Sequence, residues 1–196
     1  MNLPNKLTIL RIILMPVMVA LFYFELYILA AIVFVLAAFT DMLDGKIARK
    51  NNIVTVFGKF VDPLADKLIN IAAIIILSGK ICAGGEKWYG IFAVITTVII
   101  VSREIIITSL RALAANEGVV IAADKMGKLK TVLQDIAIVT MFIDESKFID
   151  KIPFVNELIH WMAVIILVGA LALTIISGVN YFASNKEIMD KITKDI

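Results

Sequence analysis

Four aspartates lie where a membrane helix should be apolar. Residues 41–67 read DMLDGKIARKNNIVTVFGKFVDPLADK, with Asp41 and Asp44 three residues apart and Asp62 and Asp66 four apart. Either spacing brings two carboxylates onto one face of a helix. The stretches Leu26–Phe39 before them and Leu68–Leu77 after them are almost wholly apolar. Ionisable groups in such surroundings are costly and mark an ion, substrate or proton site. Four carboxylates at close quarters need cations to stay ionised; otherwise some take up protons. With no His or Cys nearby, an oxygen-only ligand set suits hard divalent ions, two Mg²⁺ or Mn²⁺. Paired ions of that kind are a device for phosphoryl transfer. Gly45 and Gly58 leave room for a substrate phosphate to approach the helices closely. Arg49, five residues past Asp44, can place a guanidinium near a pyrophosphate. One aspartate pair alone would fit a helix cap or a solvated turn. All four, with the glycines and the arginine, do not.

The elements that must position these residues are membrane helices. Of 196 residues, 61% are hydrophobic, and the mean hydropathy of +0.96 is far above that of a water-soluble domain. Six stretches approach the roughly 20 apolar residues needed to cross a bilayer: about Lys6–Phe24, Leu26–Arg49, Gly58–Ser78, Trp88–Ala115, Met126–Ile143 and Val155–Ala183. Short connections make this one all-α polytopic membrane domain over residues 1–196. The first apolar run lacks a signal-peptide cleavage pattern and is expected to stay as a membrane helix. The single Cys82 excludes an intramolecular disulfide.

Basic residues orient the helices. An even number of crossings puts both termini on one side, and that side holds every Lys and Arg except Lys80, Lys87, Lys147 and Lys151. The aspartates and both termini therefore face the cytoplasm, while Tyr23, Tyr27, Trp88, Tyr89 and Trp161 form an aromatic belt opposite. A net charge of +2 excludes a strongly basic nucleic-acid binder and suits an anionic lipid surface or phosphate-bearing substrates. Asp41 lies roughly 22 Å along its helix from Leu26, at ~1.5 Å per residue, in the cytoplasmic half of the bilayer. Transporter sites sit nearer the midplane on broken helices. A site at headgroup level suits chemistry between a lipid and a cytosolic molecule.

A second polar group interrupts the fourth and fifth segments. Arg103, Glu104 and Arg111 lie in an otherwise apolar stretch, followed by Gly127-Lys128-Leu129-Lys130-Thr131, Gln134 and Asp135. Arg103, Arg111, Lys128 and Lys130 could form a cationic pocket for a second phosphate beside the aspartates. Snorkelling at the interface is the competing account, favoured for Lys125 and open for Lys128. Gly127-Lys128 is not a Walker loop, since Ala122 and Leu129 stand where that loop needs Gly and Ser or Thr. Asn5 and Thr8 are read as caps of the first helix or nucleotide contacts, with capping favoured for Thr8. Pro16 is expected to kink that helix, and His160 is read as structural and remote from the four acids.

The central motif resembles the signature of the CDP-alcohol phosphotransferases. Asp41-x-x-Asp44-Gly45-x-x-Ala48-Arg49, eight residues, then Gly58-x-x-x-Asp62-x-x-x-Asp66 agrees at every fixed position; chance agreement is on the order of 10⁻¹⁰ per starting point. The resemblance implies a six-helix membrane enzyme, a homodimer, that transfers a substituted phosphate from a CDP-linked lipid or alcohol to a hydroxyl and releases CMP. It implies that Asp41, Asp44 and Asp62 hold the metals, with Asp62 bridging, and that Asp66 is a further ligand or the general base. Asp41, Gly45, Ala48, Arg49, Gly58 and Asp62 would line the CDP pocket.

Asn2-Leu3-Pro4-Asn5-Lys6-Leu7-Thr8, Arg103-Glu104 with Arg111, and Gly127-Lys128-x-Lys130-Thr131 with Gln134 are similar to one branch, the bacterial phosphatidylglycerophosphate synthases. That branch implies CDP-diacylglycerol as donor, sn-glycerol 3-phosphate as acceptor, and Arg103, Arg111, Lys128 and Lys130 around the acceptor phosphate. A bacterial plasma membrane is the expected location. Three alternatives stand beside it: another acceptor (phosphatidylglycerol, inositol phosphate or serine), a cation- or proton-coupled transporter, and a family-like subunit without activity.

Overall fold

A computed structural model describes the backbone of residues 3–51, 56–85, 87–116, 125–146 and 152–186, and the side chains within these except 3–5, 41–60, 62, 63, 66, 116 and 125. The described residues form six helices: α1 (Leu3–Tyr23), α2 (Tyr27–Asn51), α3 (Val56–Ala83), α4 (Lys87–Asn116), α5 (Lys125–Asp144) and α6 (Pro153–Ser184). No strand occurs among the described residues. Each expected apolar segment coincides with one of them, the first and second overrunning α1 and α2 by one residue each, at Phe24 and Leu26.

Tight connections force neighbouring helices to run antiparallel. After α1, Glu25 adopts φ 58°, a left-handed conformation more often given to glycine. Two hydrogen bonds close the turn, from Leu26 N–H to the Leu21 carbonyl at 2.9 Å and from Glu25 N–H to the Phe22 carbonyl at 3.0 Å. They satisfy carbonyls that would otherwise end the helix unpaired in an apolar setting. Between α3 and α4, Gly85 supplies φ 103°, and Gly90 lets α4 lie against α3: a Cβ there would stand 2.5 Å from the Cys82 Cα. Pro153 opens α6 at its first turn, where a missing N–H costs nothing.

Packing makes a ring in the order α1, α2, α5, α6, α4, α3, and α3 also crosses to touch α2 and α5. Fully buried alanines at 30, 37, 73, 93, 137, 163 and 170 lie along the contacts; small side chains let membrane helices approach closely. Phe22, Tyr27, Phe34 and Phe142 fill the centre nearer the aromatic end, with Phe22–Tyr27 ring centres 5.3 Å apart. Ser78 Oγ donates to the Ile74 carbonyl at 2.6 Å and meets Thr97 Oγ1 at 2.5 Å, tying α3 to α4.

The outside is as apolar as the inside. Ile32, Val35 and Phe39 on α2, Ile91, Ile95 and Val98 on α4, and Ile165, Val168, Ile175 and Val179 on α6 are exposed at helical spacing. Water would not tolerate so much apolar surface on one chain; lipid does. The protein is an all-α polytopic membrane protein. Three stretches are long and apolar enough to cross by themselves: Lys6–Tyr23, Lys87–Ala115 and Pro153–Ser184, with a shorter apolar stretch over Tyr27–Thr40. Helices α3 and α5 and the end of α2 are richer in charged residues, and α4 carries Arg103, Glu104 and Arg111 within its apolar length.

Two expectations change. Helix α1 already begins at Leu3, so Thr8 is an interior, fully buried residue and not its cap; Asn5 is likewise inside the helix. Pro16 lies inside the same helix.

Candidate active site

Asp41 and Asp44 lie in the second half of α2, and Gly58, Asp62 and Asp66 in the first turns of α3. Only residues 52–55 separate the two helices, so the chain brings both halves of the motif to one end of the bundle. The side chains of Asp41, Asp44, Gly45, Ala48, Arg49, Gly58, Asp62 and Asp66 lie outside the described residues.

One residue beyond Asp66, Lys67 belongs to a cation network. Glu104 on α4 is its centre. Its Oε1 accepts from Lys130 Nζ at 2.7 Å and from Arg103 NH1 at 2.8 Å, and its Oε2 lies 3.3 Å from Lys67 Nζ. Lys67 also donates to the Thr108 hydroxyl, and Arg103 NH2 donates to Ser177 Oγ at 3.0 Å. Four helices thus meet through one carboxylate. Lys130 is buried to 1% exposure, and a buried ammonium is tolerable because that carboxylate is in direct contact.

Above the network lies a cavity of about 180 Å³, lined by Lys67, Arg103, Glu104, Ile107, Arg111, Gly127, Lys128, Thr131, Ser177 and Tyr181. Arg111 stands over the Tyr181 ring at 5.4 Å from its centre, which holds the guanidinium by a cation–π contact. Four basic side chains against one carboxylate leave the lining strongly positive. Gly127 and Gly178 border Arg103: a Cβ there would stand 3.9 Å from its NH2 and 3.7 Å from its Cγ, at ordinary contact distance.

Below it a void of about 30 Å³ is lined by Lys67, Asn70, Ile71, Glu104, Lys130, Thr131 and Gln134, enough for one water. Asn70, one turn beyond Asp66, donates to Asp135 Oδ1 on α5 at 3.0 Å. The aspartate face of α3 is thereby anchored to α5.

Of the four residues expected around a second phosphate, Arg103, Arg111 and Lys128 line the larger cavity, and Lys130 does not. Its ammonium is turned to Glu104 and borders the lower void. Lys67, Ser177 and Tyr181 were not singled out from the sequence. Lys67 could have been, since it directly follows the last aspartate. Arg11 was counted only as a basic-side residue, yet it is buried to 1% exposure in α1; a lone charge in an apolar run was the signal. At the far end, His160 Nδ1 lies 3.0 Å from Asp144 Oδ2, remote from the motif but paired with an acid.

A family model described as CDP-alcohol phosphatidyltransferase matches residues 1–177, which takes in both the aspartate motif and the cation-lined cavity up to Ser177. The chain belongs to the CDP-alcohol phosphatidyltransferase family. Family membership makes it a transferase.

Similar proteins point to one branch. The CDP-diacylglycerol–glycerol-3-phosphate 3-phosphatidyltransferase of Bacillus subtilis is 37% identical over 204 residues, covering 96% of this chain and 97% of that protein. The protein of the same name from Rickettsia typhi is 38% identical over 189 residues, covering 94% and 97%. That of Wigglesworthia glossinidia brevipalpis is 36% identical over 154 residues, covering 76% and 81%.

Proposed function

We propose that this protein transfers the phosphatidyl group of CDP-diacylglycerol to sn-glycerol 3-phosphate, giving phosphatidylglycerophosphate and CMP in phospholipid synthesis at a bacterial plasma membrane. The observation that carries the choice of acceptor is the positive cavity entered from the turn after Asp66. An acceptor without a phosphate would leave Arg103, Arg111 and Lys128 facing one another across an empty pocket. The names of the relatives support the same reaction.

The donor's pyrophosphate would lie along Gly45, Ala48, Arg49 and Gly58, where two glycines and an alanine keep the helices open to it. Asp41, Asp44, Asp62 and Asp66 would hold Mg²⁺ or Mn²⁺, for which an all-oxygen donor set without His or Cys is the fitting chemistry. Bound metal would neutralise the pyrophosphate and the departing CMP. The acceptor hydroxyl attacks the lipid-side phosphorus, the bond to the CMP phosphate breaks, and Asp66 takes the hydroxyl proton. The acceptor's own phosphate rests on Arg103, Arg111 and Lys128, while Lys130 acts from below by fixing Glu104.

Six crossings put both termini and this site on the cytoplasmic side, where nucleotide and glycerol phosphate are dissolved and lipid is at hand. Residues 1–196 act as one domain, working as a homodimer. The test is product formation. Purified protein given CDP-diacylglycerol, sn-glycerol 3-phosphate and Mg²⁺ should yield phosphatidylglycerophosphate by mass spectrometry. Chelation of the metal, or Asp66→Asn, should lower the yield at least a hundredfold; full activity of Asp66→Asn would remove Asp66 as the base.

A further inference from the structure

Lys67 differs from the other cations around Glu104. Its side chain is 27% exposed against 2% for Lys130, and its 3.3 Å contact is the longest of the three. It borders both the 180 Å³ cavity and the void beneath. A partly exposed lysine on a long flexible stem exchanges partners at little cost. Lys130 does not, because leaving Glu104 would strand it as a buried charge. Lys67 also belongs to the helix that carries Asp62 and Asp66, so whatever its ammonium holds is tied to that helix.

We propose that Lys67 is a specificity-determining residue that exchanges Glu104 for the acceptor's phosphate when the acceptor binds. Glu104 is then the resting counterion that holds Lys67 beside the cavity until a dianion arrives. A phosphate clamped between Lys67 on α3 and Arg103 and Arg111 on α4 is fixed from both walls of the site. Of these contacts, only Lys67 links acceptor binding directly to the helix carrying Asp62 and Asp66. This inference rests on the acceptor reading above.

The test compares discrimination between acceptors rather than activity alone. CMP release is measured for the unaltered protein, Lys67→Met, Lys67→Arg and Arg111→Ala, each with sn-glycerol 3-phosphate and with glycerol. Loss of one charge-assisted contact to a phosphate should cost roughly tenfold to a hundredfold. Lys67→Met should therefore raise KM for glycerol phosphate by at least about tenfold, far more than KM for CDP-diacylglycerol, and lower the preference for glycerol phosphate over glycerol by a similar factor. Lys67→Arg should recover most of the loss, and inorganic phosphate should compete with the acceptor less well in Lys67→Met. Lys67→Gln gives the same comparison if Lys67→Met fails to accumulate in membranes. Equal losses with both acceptors, or a fall in kcat with KM unmoved, would overturn the assignment and leave Lys67 a support for its helix. If Arg111→Ala raises the acceptor KM and Lys67→Met does not, the inference fails and the functional reading survives. If the unaltered protein shows no preference for glycerol phosphate, both fall.

Discussion

A single carboxylate, Glu104, lets several cations share one small space. Without it, Arg103, Lys67 and Lys130 would repel one another in a setting that screens charge poorly. Arg111 stands apart from Glu104 and rests on Tyr181, so it can be removed without opening the network. Arg111→Ala should raise KM for sn-glycerol 3-phosphate about tenfold or more, with KM for CDP-diacylglycerol little changed. Steady-state kinetics with each substrate varied in turn would check this, and an equal rise in both would sink the pocket assignment. Glu145, beyond the end of α5, offers a different test. Burial and the neighbouring Asp144 push its carboxyl above the ordinary range, against weaker opposing effects of Lys80 and His160. A carboxyl raised in the folded state costs stability once ionised, a cost absent below the ordinary carboxylate range and complete above the raised value. Glu145→Gln should therefore raise the Tm in detergent at neutral pH, and the gain should disappear on acidification. A gain that grew as pH fell would contradict the sign.

At the scale of elements, α3 does the most work. Its first half carries Gly58, Asp62 and Asp66, its middle carries Lys67 and Asn70, and its far end packs under α4 at Gly90. Even a methyl at Gly90 would meet backbone, not a movable side chain, at 2.5 Å. Gly90→Ala should cost about 1–3 kcal/mol, read as a lower Tm, with any activity loss following stability. An unchanged Tm would mean that the helices part without cost. The helices themselves were legible in the sequence because apolar length and the need to satisfy every backbone group leave few options in lipid. Arg103, Arg111 and Lys128 were legible as charges out of place. Lys130 was legible as important but not in its use, because which way a lysine turns depends on Glu104, a residue 26 positions away. Thr8 misled because its residue type suits a cap, while α1 already runs from Leu3 and buries Thr8 in its interior. Ser177 and Tyr181 gave no signal, being ordinary polar residues on an apolar helix until α6 folds back over α4.

For the whole molecule, chemistry is gathered at one end and an aromatic, acid–histidine cluster at the other. Helix α3 runs from the aspartates to Cys82, the protein's single cysteine, which is exposed. If the aspartates face the cytoplasm, a membrane-impermeant maleimide should label Cys82 in intact cells before lysis. Labelling only after lysis would reverse the orientation. On the proposed reading, the same polarity would let a metal-and-phosphate site sit in a membrane protein, with lipid arriving from the side and glycerol phosphate from the cytosol. The most direct measurement is CMP release by purified protein from CDP-diacylglycerol with Mg²⁺ or Mn²⁺, offered sn-glycerol 3-phosphate, glycerol, serine or inositol phosphate. Release that depends on glycerol phosphate is the predicted result, and release driven equally well by serine or glycerol would contradict it.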